Sequence, residues 1–97
     1  MTEKRYQRHE DFIFRKIVEE MILVPVKQNV AEMEAVFTLN EVGAFLWEQL
    51  SQPQSLNELQ SAVLSEFEAD PAIVLEDIEA FLQEAEAFGA VKEVIEL

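Results

Sequence analysis

Catalysis requires a nucleophile, a base, a metal-ligand set or a cradle for a cofactor, and this 97-residue chain offers few of these. Cysteine is absent, which removes a thiol nucleophile, thiolate metal sites and disulfides. Histidine occurs once, as His9, and nothing nearby completes the ligand set that a metal ion needs. The only glycines are Gly43 and Gly89, so no Gly-rich phosphate loop is encoded. Carboxylates are plentiful, and Glu76 and Glu79 share a helix face by spacing. Such pairs arise by chance when 17 glutamates are spread over a small domain, and a solvated face is the expected role. Residues 66–70 resemble a calcium loop only superficially, lacking the central glycine and the terminal bidentate glutamate. No catalytic residue, metal or cofactor is expected, and the chain reads as a non-enzyme.

Charge narrows the partners. The net charge is −13, and it is unevenly placed. Residues 1–27 carry Lys4, Arg5, Arg8, Arg15, Lys16 and Lys27 against Glu3, Glu10, Asp11, Glu19 and Glu20. Residues 28–97 carry only Lys92 against 15 acidic residues. A body this negative repels phosphate backbones and favours basic partners, besides keeping a small protein dispersed. The apolar fraction of 49% is enough to build a core without disulfides or metals. The charged N-terminus has no apolar signal core, and no run approaches ~18 apolar residues. A cytoplasmic protein without a membrane span is expected.

The elements follow from periodicity. Residues 1–10 are polar and read as a flexible N-terminal arm, with residues 11–97 forming a single domain. Residues 12–18 and 21–26 are rich in aromatic and β-branched side chains and predict two strands, joined at Glu19 and Glu20 without the usual glycine. Pro25 belongs at an edge, a bulge or a strand end. After a polar connection over 28–34, Ala35, Phe37 and Leu39 alternate as a third strand. Val42, Phe45 and Leu46 then recur at helical spacing, so a strand runs almost directly into a helix. Asn40 is the natural N-cap, with Thr38 and Glu41 offering a competing capping box. Ser55 and Glu58 predict the start of a second helix, and Asp70 and Pro71 the start of a third that ends at Gly89. Residues 90–95 fit a short strand or an extended tail.

Three strands followed by three helices predict an α+β fold. The expectation is a three-stranded antiparallel sheet followed by a three-helix bundle, a winged helix-turn-helix-like arrangement. DNA binding through the helix-turn-helix is unfavourable, because residues 55–88 contain no Lys or Arg to meet phosphates or bases. Peptide binding fits better. The third strand is a candidate edge able to accept a strand from another chain. The third helix carries Ile73, Leu75, Ala80 and Ala87 outside its main stripe of Val74, Ile78, Phe81, Leu82, Ala85 and Phe88.

Three stretches together resemble a known family. Leu39, Asn40, Gly43, Leu46 and Trp47 resemble the "LN-x-x-G-x-x-hydrophobic-W" core of the pyrroloquinoline-quinone biosynthesis protein D (PqqD) family. Ser55, Glu58 and Leu59 resemble its second helix start. Val74, Asp77, Ile78, Phe81 and Leu82, followed by Phe88, Gly89, Ala90 and Val91, resemble its ending. Gln52 and Pro53 depart from the family's usual Asp-Gly turn, and Ala85 stands where a larger apolar residue is common. The resemblance implies a recognition domain for ribosomally synthesised, post-translationally modified peptides. Such a domain is a non-catalytic adaptor that binds a precursor's leader segment by strand addition and presents it to a modifying enzyme, often a radical S-adenosylmethionine enzyme. It implies a peptide-binding site at Glu34, Val36, Phe37, Thr38 and Leu39 on the third strand, with Ile73, Asp77, Ile78 and Phe81 on the third helix. A winged-helix DNA-binding regulator and a small structural subunit of an enzyme complex are the alternatives. Strand exchange into a homodimer is also open to such a fold.

Overall fold

A computed structural model describes residues 4–18, 20–25 and 37–95. The mixed α+β architecture is the one expected, but it has two small sheets rather than one. Strands β1 (Lys4–Arg8), β2 (Phe12–Ile17), β3 (Glu20–Pro25) and β4 (Phe37–Leu39) precede helix α1 (Glu41–Gln49). Strand β5 (Gln54–Ser55), helices α2 (Leu56–Glu66) and α3 (Pro71–Phe88) and strand β6 (Val91–Ile95) follow.

The antiparallel sheet β2-β3-β4 is the predicted meander. Leu23 lies opposite both Phe14 and Phe37, and Met21 lies opposite Leu39. Side chains directly opposite share a face, so Phe37 and Leu39 look inward with Leu23, while Thr38 joins Ile22 on the outer face. Pro25 closes β3 opposite Phe12, at a strand end where its missing N–H costs least. The turn after β2 manages without glycine by placing Val18 in the left-handed region, at φ 56°. A β-branched residue is rarely found there, and Val18 is almost fully exposed. The polar connection over 28–34, and Ala35 and Val36 of the predicted third strand, lie outside the described residues.

The second sheet, β5-β1-β6, takes in Lys4–Arg8, part of the stretch expected to be a flexible arm. Residues Lys4–Arg8 form its central strand, antiparallel to both neighbours. Their polarity is explained by what they meet. Lys4 Nζ lies 3.0 Å from Glu93 Oε2, Arg5 Nη1 lies 2.6 Å from Glu58 Oε1, and Tyr6 packs against the core. Residues 90–95, open between strand and tail in the sequence, supply the partner strand.

Each helix starts and stops where its caps dictate. Asn40 Oδ1 accepts the Gly43 amide at 2.7 Å, which settles the boundary of α1 in favour of Asn40 over Thr38. Ser55 and Glu58 form a full capping box, each side chain accepting the other's amide. Asp70 Oδ1 accepts from Ala72 at 2.8 Å, with Pro71 opening α3. Gly89 ends α3 at φ 91°, a left-handed cap that glycine adopts without a side-chain penalty. The apolar stripes meet in one core, in which Leu23, Leu46, Leu50, Leu59, Val63 and Ile78 are fully buried. Their removal from water supplies roughly 1.5–3 kcal/mol per large side chain.

Candidate peptide-binding groove

Strand β4 is the terminal strand of its sheet. Its outer edge therefore has no strand partner among the described residues and presents N–H and C=O groups that a further strand can pair. Helix α3 runs alongside, and between them lies a groove of about 280 Å³. Phe37, Thr38 and Leu39 line one wall; Asp77, Ala80, Phe81 and Glu84 line the other; and Asn40, Val42, Gly43 and Leu46 close the end where β4 passes into α1.

The junction holds this wall in place. Gly43 lies so close to β4 that a Cβ there would sit 3.2 Å from Leu39 Cδ2 and 3.3 Å from Asn40 Oδ1. The close approach brings the first turn of α1 onto the end of the strand. Behind the groove, an aromatic chain ties sheet to helix. The Phe37 ring meets Phe81 edge-on at 5.9 Å between centroids and Phe88 at 5.4 Å, and Phe88 meets Phe12 at 5.5 Å. Contacts of this kind contribute about 0.5–1.5 kcal/mol each beyond area burial. They also fix the distance between the edge strand and α3.

The predicted site residues fare differently. Phe37, Thr38, Leu39, Asp77 and Phe81 are brought together around the groove. Ile73 lies one turn before Asp77 on α3, 57% exposed and beyond the groove's end. Ile78 is fully buried on the core side of α3 and does not reach the groove, while Leu39 presents only a sliver of its largely buried side chain. Glu34 and Val36 lie outside the described residues. Sequence reasoning missed Asn40, Val42, Gly43, Leu46 and Glu84, and had Ala80 only as an apolar residue outside the main stripe of α3. The signal for Ala80 and Glu84 was the i, i+3 and i+7 spacing from Asp77, which places all three on one stripe of α3.

The groove is chemically simple. Two carboxylates, Asp77 and Glu84, border it beside Phe37, Val42, Ala80 and Phe81, and no cation among the described residues lines it. Among the described residues no group of three or more His, Asp or Glu side chains is placed to hold a metal ion. No helix among them is long and apolar enough to cross a membrane.

Comparison with known proteins agrees with this fold. A family model described as coenzyme PQQ synthesis protein D (PqqD) matches residues 20–91. No curated protein matches the chain. Two solved structures share the fold. One is TbiB1 in complex with the TbiA(beta) leader peptide, 20% identical, with a TM-score of 0.68 over 89% of this chain and 94% of that one. The other is lasso peptide synthetase B1 complexed with the leader peptide, 16% identical, with a TM-score of 0.69 over 90% of this chain and 96% of that one.

Proposed function

From the premise that the chain belongs to the PqqD family, we propose that it is a non-catalytic adaptor for the leader segment of a ribosomally synthesised precursor peptide. The observation that carries the proposal is the open edge of β4 facing α3 across a preformed groove. The two structural neighbours are complexes with leader peptides, which supports the same reading.

The leader adds as a strand to β4. Main-chain hydrogen bonds to the edge set its register, and alternate side chains enter the groove. There they meet Phe81, Ala80 and the exposed rims of Phe37 and Val42. Asp77 and Glu84 favour a leader with a basic side chain among its apolar ones, since no cation among the described residues of the groove competes for them. Ile73 extends the apolar track by one turn, and Glu34 and Val36 would lengthen the strand wall. Leu39 and Ile78 serve the site from the core by holding the two walls apart. A disordered leader must be ordered on binding, so affinity falls in the micromolar to submicromolar range, about −8 to −9 kcal/mol. The adaptor then presents the precursor to a modifying enzyme, of the radical S-adenosylmethionine class by family resemblance.

Calorimetric titration with the leader of the cognate precursor tests this. Saturable binding is expected, and it should be weakened by Phe81→Ala and by Asp77→Asn while a scrambled leader gives no heat. Equal binding by leader and scrambled peptide would sink the proposal.

A further inference from the structure

Three residues of α3 give the leader groove a charge pattern with a definite spacing. Asp77, Ala80 and Glu84 stand at i, i+3 and i+7 on one stripe of the helix and line the same wall. At a rise of about 1.5 Å per residue, the two acidic positions lie about 10.5 Å apart along the helix axis, with Ala80 between them. All three residues are exposed, and neither carboxylate forms an ion pair among the described residues. Ala80 contributes only a methyl group, so the wall steps back between the two acids. Phe81, packed edge-on against Phe37, flanks the step.

The charge here has one sign. No Lys, Arg or His among the described residues lines this groove, and residues 28–97 hold only Lys92 against 15 acidic residues. The larger concavity of about 760 Å³ between β2 and α1 differs in this respect. Arg8 and Lys92 line it together with Glu10 and Glu48, so it does not sort peptides by charge. A basic segment is therefore drawn to the wall of α3.

A strand added to β4 presents alternate residues to that wall. Residues on one face of a strand repeat at about 6.7 Å, so i and i+4 are about 13 Å apart. Two basic residues at i and i+4 overshoot the acidic positions by about 1–2 Å at each end, which their long flexible stems absorb. The residue at i+2 then meets Ala80, where an apolar side chain fills the step beside Phe81. Basic residues at i and i+2 are too close together to meet both acids and leave no residue between them on that face. At i and i+3 one of the two points to the opposite face.

We propose that the leader segment recognised by this groove carries a basic-x-apolar-x-basic pattern, its basic residues meeting Asp77 and Glu84 and its apolar residue meeting Ala80. This inference rests on the reading of the groove as the leader site. It adds a substrate class defined by spacing rather than by net charge.

Two synthetic nine-residue peptides of equal composition test it against the full chain. Each contains two lysines and one leucine among threonines and serines. In the matched peptide the lysines flank the leucine at i and i+4; in the isomer they stand at i and i+3. General attraction to the acidic protein is the same for both, so only spacing separates them. Calorimetry at low salt should find the matched peptide bound about 2–5-fold more tightly, the value of one exposed ion pair. It should shift amides over residues 37–43 and 77–84. Serine in place of its leucine should weaken it about 5-fold or more. The double substitution Asp77→Asn and Glu84→Gln, at exposed positions, should abolish the preference between the isomers. Equal affinity of the isomers, a preference that persists in the double variant, or no loss on replacing the leucine would overturn the pattern while the leader reading stands. If neither peptide shifts those amides the pattern is also overturned, and titration with the cognate leader decides separately whether the leader reading falls with it.

Discussion

At the scale of single residues, Glu58 shows how one side chain serves three elements. Its Oε1 accepts the Ser55 amide at 2.9 Å and the Arg5 guanidinium at 2.6 Å, joining β5, α2 and β1. The Ser55 amide, first, and Arg5 hold the carboxyl below the usual glutamate range. A carboxylate with a depressed folded pKa contributes stability above its unfolded value, near 4.5, and loses that contribution as pH falls through the folded value. Glu58→Gln should therefore lower the melting temperature at pH 7 and make it less sensitive to pH below 4.5, as followed by circular dichroism. Glu86 runs the other way. Burial, with Glu93 nearby, raises its pKa, so its contribution is complete at low pH and is lost as pH rises through the folded value. Val18 offers an opposite kind of test. It holds a left-handed conformation with its side chain almost fully exposed, so Val18→Asn relieves strain and removes no packing. A gain of about 0.5–1 kcal/mol in thermal or urea unfolding is expected. In the leader groove, Asp77 is exposed, and Asp77→Asn should weaken a basic leader only about 2–5-fold, with the difference shrinking as salt is added.

At the scale of elements, the caps carry the helix boundaries, and local sequence carries the caps. Ser55→Ala removes the acceptor for the Glu58 amide and should cost about 1 kcal/mol, lowering the melting temperature by roughly 4–8 °C. Strand addition to β4 makes its own prediction. N-methylation of successive leader amides should abolish binding at alternate positions only, because alternate N–H groups face the edge. The same contrast of local and distant causes explains what was legible beforehand. Asn40, Ser55, Asp70 and Gly89 act within three residues of themselves, so each helix start or stop was readable from a short window. Strand β1 was not, because its apolar content is low and its partner, Val91–Ile95, lies at the far end of the chain. Only the pairing of Lys4 with Glu93 and Arg5 with Glu58 makes sense of its charges. In the groove, Asp77 and Phe81 came from the family pattern, whereas Ala80 and Glu84 needed the rotation of α3 to be known. Ile78 fell to the core because the buried stripe of α3 runs through Val74, Ile78, Leu82 and Ala85.

At the scale of the molecule, β1 is the middle strand of one sheet while β4 and β2 are the two edges of the other. Deleting residues 1–8 should therefore abolish cooperative unfolding, where loss of a flexible arm would leave it intact. The charge distribution predicts the salt response: a basic leader at β4 should bind more weakly as salt is added, and duplex DNA should fail to bind even at low salt. The central claim is that the leader becomes the next strand of the β2-β3-β4 sheet. Intermolecular nuclear Overhauser effects between isotope-labelled protein and unlabelled leader test it most directly. The account predicts backbone contacts from the leader to residues 37–39 and side-chain contacts to Ala80, Phe81 and Glu84. A leader that binds as a helix, or whose contacts fall on α2 or on the β2 edge, would contradict it.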